Sequence, residues 1–410
     1  MHRTESLVVQ RDFLRLWSAT ALSEAGTSVT ALALPLTAVT LLHATAFQVG
    51  LLTTFQYLAF LAIGLPAGAW VDRMRRRRVM VVADLGRFAV LGTVPMAALS
   101  HALTIRQLYL VVLLAGVLTV FFDVSAQSYL PALVGRDRLV EGNAKLQGTK
   151  SAAEVAGPSL GGLLVQALTA PIAVAVDAAS YLWSAAWLAS IRHTESRPAR
   201  ANRPLVSEIR EGVALVLHDP SLRAVAACTA GCNLWFAALQ PMQVVFLART
   251  VHLSAWLIGA AQSGIALGGV AGAFLARPLA RRLGEGTVIW LSIAATSPLL
   301  LAQPFVRRDW TLAAFALAQL AVGIGVVVYN ITQVSFRQAI CPDHLLGRMN
   351  ATMRFFVWGV MPLGGLLSGG IAARLGVRAV LAIAAVGMTC SFLWVYFSPL
   401  RRMRTAAASA

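Results

Sequence analysis

Charge is what this 410-residue chain has least of: only 12% of its residues are Asp, Glu, Lys or Arg, and only 17 are acidic. A soluble domain carries about a quarter charged residues, so a water-facing surface for a chain of this length cannot be built from so few. Cysteine is scarce too. Cys228, Cys232, Cys341 and Cys390 form no CxxC pair. Cys228 and Cys232 share a helix face, but a tetrahedral metal site needs two further ligands, and no histidine lies close in sequence. They read as small residues in a helix interface, so neither a metal site nor a cofactor is expected. A nucleotide-binding loop is also missing. The stretch GNAKLQGTK (142–150) has misspaced glycines and ends Thr-Lys where a P-loop has Lys-Ser or Lys-Thr. No Ser/His/Asp or metal-ligand cluster stands out, so the chain is not expected to be an enzyme.

What is present is apolar length. Apolar residues make up 58% of the chain, and the mean hydropathy is +0.71. Apolar stretches near the roughly 20 residues that cross a bilayer recur at 13–37, 47–70, 79–100, 107–131, 147–168 and 172–191. They recur again at 222–247, 255–276, 287–305, 310–335, 350–372 and 378–397. The first is long and lacks a cleavage site, so it reads as a membrane helix and not a signal peptide. The fold class is therefore an all-α integral membrane protein of twelve transmembrane helices. The expected organisation is a six-helix bundle over 1–191, a linker over 192–221 and a second six-helix bundle over 222–410. Within the linker, Leu205, Ile209, Val213 and Val216 fall on one helix face, which predicts an amphipathic connector lying along the membrane surface.

The formal charge of +17 raises nucleic-acid binding as a possibility. The positions of the charges argue against it, because they cluster in short loops between apolar stretches. With the N-terminus placed in the cytoplasm, all of the 34 Lys and Arg except Arg106, Arg249, Arg307, Arg308, Arg374 and Arg378 fall on the cytoplasmic side. Positive loops stay inside, so both termini are expected in the cytoplasm of a cell whose inner membrane the chain spans, as a monomer.

An internal repeat supports the two halves. Gly68, Arg73, Arg77 and Arg78 match Gly272, Arg277, Arg281 and Arg282 at one offset. Asn143, Ala144, Gly157 and Gly162 match Asn350, Ala351, Gly364 and Gly369 at an offset three residues longer. Two copies in the same orientation describe a parallel repeat.

The most specific stretch is GLPAGAWVDRMRRRRVM (64–80). Asp72 falls at a helix C-terminus, where the macrodipole is already negative, and Arg73, Arg76 and Arg77 offset it. Gly68-x-x-x-Asp72-Arg73 followed by arginines resembles the cytoplasmic loop motif of the major facilitator superfamily. Further stretches resemble its bacterial drug- and siderophore-exporter, macrolide-efflux-like branch: LWSATALSEAG (16–26), FDVSAQSYLPALV (122–134), EVAGPSLGGLLV (154–165), VDAASYL (176–182), SFRQAICPDHLLGRMNA (335–351) and PLGGLLSGG (362–370). The resemblance spans residues 11 to 400 in order. It implies a major facilitator fold that works by alternating access, with Asp72 and its arginines latching onto the eleventh helix near Gly347 to Asn350. Gly157, Pro158, Gly161 and Gly162 resemble the helix-five motif of proton-antiport exporters. Physically, glycines let helices approach closely, and Pro158 frees a carbonyl where bending is possible.

Ionisable residues within the spans cost about 3 kcal/mol or more at mid-bilayer, so each needs a use or a partner. Glu24 lies on helix one beside Thr20, Thr27 and Ser28. Asp123 lies on helix four with Thr119 and Gln127, and Glu154 on helix five with Lys150 one turn away. In the superfamily arrangement these helices face the central cavity. Two readings stand side by side: one or more of the three carboxylates binds a coupling proton, or each is neutralised, Glu154 by Lys150 and Asp123 near Arg87. One departure from the branch pattern is Thr27, which stands where an Asp is expected after Gly26. Asp84 and Asp177 read as structural.

The second half has fewer buried charges and a more amphipathic set: Asn233, Trp235 and Gln240 on helix seven, Tyr329, Asn330 and Gln333 on helix ten, Arg354 and Trp358 on helix eleven. Together with Thr27 and Gln127, they are the expected lining of a substrate cavity. Aromatic faces and amides suit a drug-sized amphiphile better than a sugar. The resemblance implies proton-driven export of a small hydrophobic molecule. Import on the same fold, or a non-transporting membrane receptor, are the alternatives.

Overall fold

In the computed structural model, described here for residues 10–71, 73–135, 138–193, 195, 205–341 and 345–403, all regular structure is helical. The first half comprises α1 (Arg11–Thr40), α2 (Ala46–Val71), α3 (Arg76–Leu99), α4 (Ile105–Val134), α5 (Leu139–Leu168) and α6 (Ala170–Ser190). A short α7 (Leu205–His218) leads to the second half. There α8 (Pro220–Val245) continues through a π-helical turn, Phe246–Thr250, and is followed by α9 (Ala255–Leu283). Next, α10 (Glu285–Thr296) is extended by a 3-10 segment, Ser297–Phe305, before α11 (Thr311–Ile340). The eleventh span is broken into α12 (Leu346–Gly359) and α13 (Met361–Leu375), and the last into α14 (Val377–Cys390) and α15 (Leu393–Tyr396).

Eleven stretches among the described residues are long and apolar enough to cross a bilayer. The difference from the expected twelve is α5. Its 30 residues reach about 45 Å at 1.5 Å per residue, but its first half carries Glu141, Lys145, Lys150 and Glu154. Several side chains of α5 lie outside the described residues. The outward faces of the other helices carry exposed Met96, Leu99, Phe274, Phe305, Trp310 and Phe397, as acyl chains require.

Prolines lie inside α1 (Pro35), α2 (Pro66), α3 (Pro95), α4 (Pro131), α5 (Pro158), α8 (Pro241) and α9 (Pro278). Each removes one backbone hydrogen bond and permits a bend. Several turns are very tight. Between α5 and α6 only Thr169 intervenes, at φ 90°, and His43, His101 and His252 also take left-handed backbone, which is uncommon for residues with a Cβ.

The buried core falls into three main clusters. One is shared by both halves, joining Val29, Leu32 and Leu52 to Met242, Phe246 and Ile258. It lies toward the face opposite the described chain ends. Toward the face where the chain begins and ends there are two separate clusters. One, around Phe13, Met80, Tyr129 and Leu188, belongs to the first half; the other, around Val216, Leu222, Met349 and Leu400, belongs to the second. The halves are thus welded on one side and parted on the other.

The linker helix α7 packs against the second half. Val216 is buried in the second-half cluster. Gly212 lies so close to α12 that a Cβ there would meet the Arg348 carbonyl oxygen at 2.8 Å, and Glu211 pairs with Arg348. Protein, not lipid, covers this face of α7. The side chains of Leu205 and Ile209 lie outside the described residues. At the other end of the linker, both carboxylate oxygens of Glu195 accept from the N–H groups of Arg76 and Arg77 at 2.7 Å. These are free donors of the first turn of α3, where negative charge is favoured.

Candidate functional site

Glycine brings the two halves together on the sealed face. A Cβ on Gly259 of α9 would lie 2.0 Å from the Pro158 carbonyl oxygen of α5, and one on Gly162 would lie 2.5 Å from the Ala255 carbonyl oxygen. Ser159 and Ser263 share a hydrogen bond of 2.8 Å across the same seam. A second seam joins α2 to α13. A Cβ on Gly50 would lie 2.7 Å from the Gly365 carbonyl oxygen, and Thr54 Oγ1 donates to the Pro362 carbonyl at 3.2 Å. Arg249 closes the rim by donating to the Val39 carbonyl at 3.0 Å. Helix backbones this close require residues without side chains. Gly157, Gly161 and Gly162 all serve such contacts, the first two against Ser28 and Val29 of α1 and the third across the seam.

Below the seams the halves keep separate cores toward the face bearing the chain ends, and that parting is the crevice between them. At its inner end Trp358 of α12 packs on Tyr57 and Phe60 of α2, with ring centroids 6.2 and 5.3 Å apart. One turn nearer the opening, Arg354 bridges the crevice. Its Nη2 lies 4.0 Å from Asp123 Oδ2, and its Nη1 donates to Gln127 Oε1 at 3.3 Å. Arg354 and Asp123 are 39% and 37% exposed. They face open space while belonging to opposite halves.

The other expected cavity residues divide. Thr27 and Asn330 are exposed, and Thr27 Oγ1 bonds the Tyr181 hydroxyl at 2.7 Å. Tyr329, in contrast, is buried within the second half, bonded to Thr229 at 2.6 Å, and Gln333 is buried beside Asn330. Asn233 ties α8 to α12 by donating to the Val357 carbonyl at 3.0 Å. Trp235 packs over Gly387 of α14. Each of these four makes a contact within the second half. Gln240 lines a small, partly open void with Gln243, Gln319 and Met388.

Glu24 is half-buried on α1. The side chains of Glu154 and Gly68 and all of Asp72 lie outside the described residues. Arg73 is exposed. Arg76 Nη1 donates to the Ser128 carbonyl at 3.2 Å, and Arg77 donates to the Ile191 carbonyl. Both arginines therefore brace the first half in this conformation.

Sequence reasoning missed a buried polar network in the first half. Arg87 of α3 pairs with Asp84, whose other oxygen accepts from Ser184 of α6 at 2.6 Å. The guanidinium lies between the rings of Phe122 and Tyr181, at 4.4 and 4.2 Å from their centroids. The i, i+3 spacing of Asp84 and Arg87 was the one available signal. Replacing Arg87 by Leu leaves Asp84 buried without its cation, and breaking such a pair costs about 3–5 kcal/mol. Arg87→Leu is therefore expected to lower the unfolding temperature in detergent sharply, while Asp84→Leu/Arg87→Leu recovers most of the loss. Equal melting of the single and double variants would refute this.

Comparison with known proteins agrees with this architecture. The family model described as Major Facilitator Superfamily matches residues 16–365. The chain is 26% identical over 369 residues to the multidrug efflux pump Tap of Mycolicibacterium fortuitum, covering 85% of this chain and 87% of that one. It is 26% identical over 373 residues to the enterobactin exporter EntS of Citrobacter koseri, covering 88% and 86%. Among solved structures, a bacterial homologue of the iron transporter ferroportin in an inward-facing state superposes with a TM-score of 0.75 at 16% identity, over 95% of this chain and all of that one.

Proposed function

Because the chain belongs to the Major Facilitator Superfamily, we propose that it is a secondary exporter moving a hydrophobic or amphipathic small molecule out of the cell by alternating access. The substrate would be a drug, an antibiotic or a siderophore, and proton antiport would drive it. The observation that carries this reading is the divided core, shared on one face where glycine seams join the halves and separate on the other, with Arg354 and Asp123 paired between the halves. The relatives named for drug and siderophore efflux support the direction of transport.

In this reading the two bundles, 1–191 and 222–410, rock about the crevice, and the 192–221 linker, tied to α3 by Glu195 and to α12 by Glu211, limits their separation. The excess of Lys and Arg supports an open face in the cytoplasm, and in this reading the chain works as a monomer in the cytoplasmic membrane with both ends inside. An amphiphile entering from that side meets the aromatic floor of Tyr57, Phe60 and Trp358, with Gln127 offering hydrogen bonds. Asp123 supplies the proton site nearest the substrate. Charges 4.0 Å apart attract by about 1 kcal/mol in water and about 4 kcal/mol near a protein surface. The half-open setting puts this pair toward the lower figure. That is enough to bias two conformations several-fold, and a proton on Asp123 cancels it. Glu24 and Glu154 remain the other proposed proton sites.

The test is expression in a bacterial strain stripped of its own pumps, followed by accumulation of ethidium and a panel of antibiotics. Lower accumulation, restored to the control level by a protonophore, is expected for at least one compound. Unchanged accumulation across the panel, with uptake of a nutrient instead, would make the protein an importer.

A further inference from the structure

Within the first half, Asp177 of α6 is fully buried and is the one carboxyl of the Arg87 network without a cation of its own. Its backbone is pressed against α1, where a Cβ on Gly26 would lie 3.1 Å from the Asp177 Cα. Oδ1 accepts one bond of 3.2 Å from Ser180 Oγ, and that hydroxyl is also engaged with the Asp177 carbonyl at 2.7 Å. Among the described residues Oδ2 has no hydrogen-bond partner. The groups facing Asp177 are few. On α1 there is the Thr30 hydroxyl, outside hydrogen-bond geometry, on α3 Asp84 and Arg87, and on α6 Ser180 and Tyr181. No charged group of α5 acts on it among the described residues.

Arg87 cannot serve both acids. Its charge is matched by Asp84, and its two faces are covered by Phe122 and Tyr181. An ionised carboxylate with one shared hydrogen bond, far from water, carries a desolvation penalty of several kcal/mol, and such groups take up a proton instead. A neutral acid fits the site as built. The way in from the crevice is also present. The exposed Thr27 hydroxyl bonds Tyr181 Oη at 2.7 Å, and Tyr181 stands one helical turn from Asp177 on the same face of α6.

We infer that Asp177 is a proton-binding site, occupied in the conformation that opens toward the chain ends, and that Thr27 and Tyr181 connect it to the crevice. Release of that proton leaves two carboxylates to one guanidinium. The second draws Arg87 or water inward and loosens the contact of α6 with Gly26. Occupancy of the carboxyl stands on the buried geometry alone, whereas its use in transport rests on the antiport reading above.

Infrared difference spectra of purified protein without substrate, taken between mildly acidic and alkaline pH, read the carboxyl directly. The wild type is expected to show the carbonyl band of a weakly hydrogen-bonded protonated acid. Asp177→Asn is expected to lack it, and Asp123→Asn to keep it. A band unchanged by Asp177→Asn would overturn the inference. If that variant fails to fold, Ser180→Ala decides: loss of the single donor should raise the frequency of the same band, and an unmoved band counts against Asp177. In proteoliposomes, Asp177→Asn is expected to equilibrate ethidium without acceleration by a pH gradient, and undiminished acceleration would refute its role in coupling. Should the wild type move no ethidium, the export reading fails, while the infrared result still decides on the proton site.

Discussion

Gly259→Leu is expected to reduce efflux at least tenfold without unfolding the protein. The Cβ of any larger residue would lie 2.0 Å from the Pro158 carbonyl oxygen and 3.4 Å from the Gly162 Cα. Both neighbours belong to helix backbone, which cannot swing aside as a flexible side chain does. α9 must then stand off from α5, and the seam on the sealed face cannot close. A transporter that cannot seal one face cannot alternate, so the cycle stops with that face ajar. A cysteine introduced at Ser263 should react with an impermeant thiol reagent added from outside in the Gly259→Leu background, and stay protected in the parent, where Ser263 is buried against Ser159. Wild-type efflux, or protection in both, would contradict the role of the seam. Gly92 provides the control, because a Cβ there meets nothing within 4 Å. Gly92→Ala should leave transport intact and stabilise α3 by up to about 1 kcal/mol.

On the antiport reading, Arg354→Gln is expected to lower pH-driven transport in proteoliposomes several-fold while leaving the fold intact. Arg354 is the cation that reaches across the crevice to Asp123 and Gln127. Without it, protonation of Asp123 no longer breaks an attraction between the halves, so the proton gradient has nothing to act on at this position. The initial rate of ethidium transport should then respond several-fold less to an imposed pH difference. Asp123→Asn should give the same flattened response. The double variant Asp123→Asn/Arg354→Gln should be no worse than either single change, since both remove one interaction. A pH-driven rate for Arg354→Gln within twofold of wild type would exclude the pair from coupling.

Much of the architecture was legible because the bilayer narrows the choices. A spanning segment must be a long apolar helix with its backbone satisfied internally, so the spans show in the sequence whatever they later touch. Even α5, polar in its first half, was legible through the glycines of its second. The cavity lining was far less legible. α8 and α11 are apolar on nearly all sides, and periodicity does not distinguish a face turned to the crevice from one turned to a neighbouring helix. Periodicity therefore does not foretell that Trp235, Asn233, Tyr329 and Gln333 each make a contact within their own half. Arg354 and Gln127 do meet across the crevice, at positions where a polar side chain on an apolar helix has few other places to go.

By itself the sequence determined the helical membrane fold, its division into two related halves and the side on which the basic loops gather. These follow from length, hydropathy and charge, which act locally along the chain. Only the tertiary structure decided that the halves are sealed at Gly259 and Gly50 and parted at the other face, that Arg354 stands opposite Asp123, and that Arg87 is matched by Asp84, leaving Asp177 alone. Each of these depends on which helix faces come together, and in a chain whose helices are apolar on most sides, close packing of backbones and the pairing of a few buried charges make that choice.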